Sequence, residues 1–148
     1  MVFHIDAELN ESSVDDVNRT EDRIVSRWRT VAGDSDSQLR DRVNEVLRPL
    51  GYETLLVVIK RANSIALYFI STTLPALTSV HDLWRSGQLK DTVMELFTLL
   101  AEATRQVLVK KLPWPLTDYE RSLGFFRYER SLGFFPSVQG KTNNFITN

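Results

Sequence analysis

The order of strand-like and helix-like segments predicts an α+β fold, a two-layer sandwich in which about four mainly antiparallel strands form one layer and helices cover one face of it. Three observations carry this. Residues 53–71 hold two β-rich runs joined only by Arg61-Ala62-Asn63, whereas parallel strands need a crossover of about a dozen residues. Helical spacing of apolar residues appears on both sides of that hairpin. A further apolar run stops at Pro113-Trp114-Pro115, where two prolines cannot both donate to a ladder.

The chain has 148 residues and 43% hydrophobic content, enough for one domain that buries roughly 70% of the surface exposed when unfolded. Residues 1–135 read as a single interaction domain and 136–148 as a flexible polar tail. With 18 basic against 19 acidic residues the net charge is −1, so no strong field draws the molecule to nucleic acid or anionic lipid. The absence of cysteine removes disulfides, thiolate nucleophiles and sulfur metal ligands, and fits a reducing compartment. The N-terminus lacks a basic region followed by an apolar run, and no stretch reaches the ~18 apolar residues of a membrane span. A cytoplasmic protein without a membrane partner is expected.

Along the chain, Phe3, Ile5 and Ala7 alternate with His4, Asp6 and Glu8, the two-residue period of a strand over residues 2–8. Ser12 or Ser13 caps a helix that opens with Asp15 and Asp16, carries Ile24, Val25 and Trp28 on one stripe, and breaks at Gly33-Asp34-Ser35. A second helix runs from about Ser37 to Arg48, with Leu39, Val43, Val46 and Leu47 on one face and Gly51 as its stop. The hairpin comes next, Glu53 to Lys60 and Ser64 to Ser71. Thr72 or Thr73 caps the helix marked by Leu77, Val80, His81 and Trp84, which tolerates Pro75 in its first turn and ends at Gly87. Another helix starts at once and sends Leu89, Val93, Leu96, Phe97 and Leu100 to the core. Residues 106–112 read as the last strand, and Thr117 as the cap of a final helix.

Helices on one face leave the other sheet face open. If Ile65, Leu67 and Phe69 face the helices, then Ala66, Tyr68 and Ile70 face outward, with Leu56, Val58 and Lys60 beside them on the neighbouring strand. An outward apolar patch of this kind marks a protein-binding site.

The octapeptide Tyr119-Glu120-Arg121-Ser122-Leu123-Gly124-Phe125-Phe126 recurs, identical, as Tyr128-Glu129-Arg130-Ser131-Leu132-Gly133-Phe134-Phe135. Solenoid units run about 20 to 50 residues, so this is no solenoid. An offset of nine residues is two and a half helical turns, so in one helix the two copies face opposite ways. One copy then packs natively and the other is a duplication scar; the sharper alternative has Tyr128, Phe134 and Phe135 contacting a partner or another subunit.

Signals of chemistry are thin. The six glycines are scattered, with no phosphate-cradling cluster. His4 and His81 are the only histidines, and no carboxylate spacing completes a metal site. Ser79, His81 and Asp82 sit too close along one helix to form the mutual hydrogen bonds of a triad, so His81 reads as a helix-surface residue. The pairs Asp15-Asp16 and Glu21-Asp22 read as dipole partners and solubilising charge. Lys110 and Lys111, with Lys90 and Arg105, read as edge protection. Neither a catalytic site nor a cofactor is expected.

The hairpin Val57-Val58-Ile59-Lys60-Arg61 to Ser64-Ile65-Ala66-Leu67-Tyr68-Phe69, the step Leu83-Trp84-Arg85-Ser86-Gly87-Gln88-Leu89 into a second apolar helix, the run Val107 to Val109 and the opening Asp118-Tyr119-Glu120-Arg121 together resemble the TRADD N-terminal-domain family. Its members are adaptors of tumour necrosis factor receptor signalling and modules of invertebrate immune proteins. The likeness covers about half of the chain and is one of spacing and character. It implies a non-enzymatic adaptor for innate immunity or apoptosis, with an α/β sandwich whose sheet face docks on a trimeric TRAF domain. Carried over by position, Phe3, Ile5, Lys60, Ala66 and Tyr68 are the contact surface it implies, with Phe3 and Ile5 standing for the family's outward aromatic pair. A self partner on the same face, a homo-oligomer, is the second form of this reading. The alternative from another class is a ferredoxin-like domain that binds a small ligand or acts as an enzyme through a pocket between sheet and helices. Single-stranded RNA on the sheet ranks last, because basic residues do not surround Tyr68.

Overall fold

The structure, a computed structural model, describes residues 1–10, 13–33, 35–62 and 64–133, with the backbone alone for 128–133. Its elements are β1 (Val2–Leu9), α1 (Val14–Ala32), α2 (Ser37–Val46), β2 (Thr54–Arg61), β3 (Ile65–Ser71), α3 (Leu74–Ser86), α4 (Gln88–Ala101), β4 (Val109–Lys111) and α5 (Leu116–Gly133). The strands form one antiparallel sheet in the order β2-β3-β1-β4. Its inward side chains share one core with the helices, which is the expected α+β sandwich.

Local chemistry sets most boundaries. Ser13 Oγ accepts from Asp16 N–H at 3.1 Å, Asp36 Oδ1 from Leu39 N–H at 3.0 Å and Thr73 Oγ1 from Ala76 N–H at 3.2 Å, so three helices open on satisfied donors. Each such cap contributes about 1 kcal/mol. Gly87 ends α3 and starts α4 at φ 87°, a left-handed conformation that favours glycine. Between the layers lie Ile5, Leu67 and Phe69 from the sheet and Leu77, Leu96, Phe97 and Leu100 from the helices, each no more than 2% exposed. Burying one such side chain stabilises the fold by about 1.5–3 kcal/mol.

Several boundaries differ from the sequence expectation for identifiable reasons. Helix α2 stops at Val46, and a 3-10 turn over Arg48–Leu50 leads to Gly51; Pro49 has no N–H to donate to the carbonyl four residues back, so α-helical bonding does not continue through it. Strand β4 keeps only three of the seven expected residues. Val107 N–H donates instead to Thr98 Oγ1 at 2.8 Å, and Leu112 O accepts from Trp84 Nε1 at 2.6 Å, so both ends of the run are bonded elsewhere. Thr117 is not the cap of α5: the Asp118 and Tyr119 N–H groups donate to Pro115 O at 3.0 and 3.1 Å, and the helix starts at Leu116.

Three residues assigned to the open face belong to the core. Phe3 and Ile5 are 7% and 1% exposed, because β1 alternates strictly and turns Phe3, Ile5, Ala7 and Leu9 toward the helices. Leu56 is 8% exposed because the β2–β3 register shifts at Val57: Leu56 pairs with Phe69, yet Val58 pairs with Tyr68. The extra residue reverses alternation along β2, leaving Leu56 inward and Val58 outward.

Candidate protein-interaction surface

The register lays the outer sheet face out in rows across three strands. Val2, Ile70 and Leu55 form the first row; His4, Tyr68 and Val58 the second; Asp6, Ala66 and Lys60 the third. The face thus grades from wholly apolar at one end to a carboxylate and an ammonium group at the other. Val2 and Leu55 are 56% exposed and Val58 41%, whereas Ile70 and Tyr68 are half-buried between their neighbours. Ala66 points outward by register but is buried, a small residue walled in by the side chains around it.

Tyr68 sits at the centre of this surface. Its ring stacks on His4 at 5.1 Å from one side, and Lys60 Nζ lies 4.7 Å from its centroid on the other. The cation–π contact contributes about 0.5–1 kcal/mol at an exposed site. Both contacts hold the ring in place before any partner arrives, which lowers the entropy lost on binding. Of the residues expected on this face, the structure brings together Val58, Lys60, Ala66, Tyr68 and Ile70, and excludes Phe3, Ile5 and Leu56. Val2 and Leu55 join them; strict alternation along β2 would have hidden Leu55, since nothing in Leu56-Val57-Val58 signals a bulge. Tyr128 is described through its backbone only, and Phe134, Phe135 and the tail 136–148 lie outside the described residues.

The hairpin behind the surface is anchored to α1. Arg61 donates to Asp22 Oδ1 at 2.6 Å, to Asn18 Oδ1 at 2.9 Å and to Glu21 Oε1 at 2.9 Å. Glu21 is 4% exposed, and burial raises its pKa above the usual carboxylate value even though Arg61 opposes the shift. Glu21 and Asp22 are therefore fasteners between α1 and the hairpin, two turns beyond the helix start, and not the dipole partners that their sequence suggests.

A second aromatic group fixes α5. His81 stacks on Tyr119 at 3.6 Å, and Trp114 lies edge-on to His81, Trp84 and Tyr119 at 5.2, 6.1 and 5.3 Å. His81 is accordingly half-buried; burial lowers its pKa first and Arg85 adds to the shift. Ser122 is buried, while Tyr119, Leu123 and Phe126 pack against the core. The first copy and residues 128–133 of the second run through one helix, and the offset of two and a half turns puts position 128 on the opposite side of the axis from position 119.

No group of three or more histidines, cysteines or carboxylates placed to hold a metal exists among the described residues, nor is any helix among them long and apolar enough to cross a membrane. A groove of about 900 Å³ runs between α2 and the first half of β2, lined in part by Trp28, Val31, Leu47, Leu50 and Leu55. Its Arg48 and Glu45 neutralise each other at 2.9 Å. Comparison of the chain with family profiles, curated proteins and solved structures gave no match.

Proposed function

We propose that the chain is a non-enzymatic adaptor module that binds a protein partner, a TRAF-like domain, through the outer face of its sheet. One observation carries the reading: three adjoining strands present Val2, Leu55, Val58, Ile70 and Tyr68 as one apolar field bordered by His4, Asp6 and Lys60, an arrangement that resembles the apolar centre and polar rim of protein interfaces. The resemblance to the TRADD N-terminal-domain family supplies the partner class, and the setting it suggests is cytoplasmic signalling in innate immunity or apoptosis.

The test is a calorimetric titration of the purified chain against a TRAF domain, repeated with Tyr68→Asp. That variant places a charge where the partner's apolar surface would seal it from water. Saturable binding that disappears in Tyr68→Asp, with an unchanged melting curve, supports the reading. A folded chain that does not bind overturns the TRAF assignment, and binding that is indifferent to Tyr68→Asp overturns the surface.

A further inference from the structure

The sheet has a second unpartnered element besides its outer face, the free edge of β2. Among the described residues β2 pairs with β3 alone, and the groove of about 900 Å³ opens alongside residues 54–57, with α2 as its other wall. Three large apolar side chains stand out along the segment: Tyr52 is fully exposed, Leu55 56% and Val58 41%. A long, apolar, proline-free edge is a template for another strand.

We propose that this edge pairs with the β2 edge of a second copy of the chain, antiparallel about a twofold axis between Leu56 and Val57, giving a continuous sheet of eight strands, four from each copy. The bulge makes this possible. In a regular strand, a twofold axis between two residues would set outward side chains opposite inward ones. The extra residue at Val57 shifts the alternation by one, so the faces match. The alignment then sets Leu55 opposite Val58 of the second copy on the outer face and Thr54 opposite Ile59 on the inner face. Glu53 falls opposite Lys60 of the second copy, and symmetry makes that ion pair twice.

Moving the alignment by two residues would oppose Leu55 to Lys60 and Thr54 to Arg61, which pairs apolar and polar groups with charges. The features that normally deter edge pairing are accommodated in the favoured alignment. Lys60 meets a carboxylate, and Arg61 is already bonded to Asp22 and Glu21 of its own chain.

The experiment is sedimentation equilibrium over a concentration series with the full chain, Glu53→Lys, Lys60→Glu and an equimolar mixture of the two variants. Each single variant turns both symmetric pairs into like charges and should weaken dimerisation about tenfold or more. The mixture should restore it, because the heterodimer again opposes Lys to Glu at both places. Recovery on mixing also shows that neither variant failed merely by unfolding. A chain that stays monomeric throughout, or a dimer indifferent to both substitutions, overturns the proposal. So does a dimer abolished by Tyr68→Asp and left intact by Glu53→Lys, which would move self-association to the outer face.

Discussion

Replacing Phe3 with alanine separates a core role for β1 from a surface role. The Phe3 ring is 7% exposed and stacks between Phe69, at 5.5 Å and 19°, and Trp114, at 5.2 Å and 6°. Truncating a buried phenylalanine costs about 3–5 kcal/mol in lost transfer energy and residual cavity. The two ring contacts contribute roughly 0.5–1.5 kcal/mol each beyond burial, so the loss should fall at the upper end, near 4–5 kcal/mol. Against a total stability of about 5–15 kcal/mol, this leaves a chain that folds with little margin. For a domain of this size each 1 kcal/mol lowers the melting temperature by about 2–4 °C, which gives a fall of roughly 8–20 °C. Urea denaturation followed by circular dichroism, with an unchanged slope, reads the loss directly. Tyr68→Ala on the outer face serves as the control and should cost about 1 kcal/mol or less. A loss below about 1 kcal/mol for Phe3→Ala would refute the placement of its ring in the core and restore it to the outer face.

Two further predictions concern the aromatic group that fixes α5. Trp114 Nε1 is buried without a hydrogen-bond partner, so Trp114→Phe should remain within about 1 kcal/mol of the parent, relief of an unsatisfied donor offsetting the smaller ring; a loss above about 3 kcal/mol in denaturant titration would mean that an ordered water satisfies the indole. His81 has a folded pKa below its ordinary 6.5, chiefly through burial, so between that lowered value and about 6.5 the unfolded chain binds more protons and stability rises with pH. His81→Phe keeps an aromatic stack on Tyr119 and should remove that rise, visible as a flatter plot of unfolding free energy against pH; the same slope in both proteins would assign it to another group.

How much of the candidate surface could be read from the chain depended on strand regularity. In β3 the alternation is unbroken, and Ala66, Tyr68 and Ile70 take the expected side. In β1 it is equally regular, yet the positional match to a family placed Phe3 and Ile5 outward, while Phe3 stacks on Phe69 and Trp114 and Ile5 is buried in the same core. In β2 the parity turned at Val57, whose neighbours are valine and leucine and carry no glycine to mark a bulge. The contact between Glu21 and Arg61 joins residues 40 positions apart and leaves no local pattern at all.

By itself the amino-acid sequence determined what short-range physics controls. A cap at Ser12 or Ser13 and another at Thr72 or Thr73, the stop at Gly87, the close hairpin at Arg61-Ala62 and the places of the four strands follow from side-chain hydrogen bonds, permitted φ and apolar period, all of which act within a few residues. Only the tertiary structure decided which face a side chain takes where alternation breaks, and where ladders end. Those outcomes turn on a one-residue register shift, on a buried carboxylate meeting an arginine from another element, and on Val107 N–H finding Thr98 in place of a strand. Such competitions between distant partners differ by only a few kcal/mol, and they are resolved when the whole core closes.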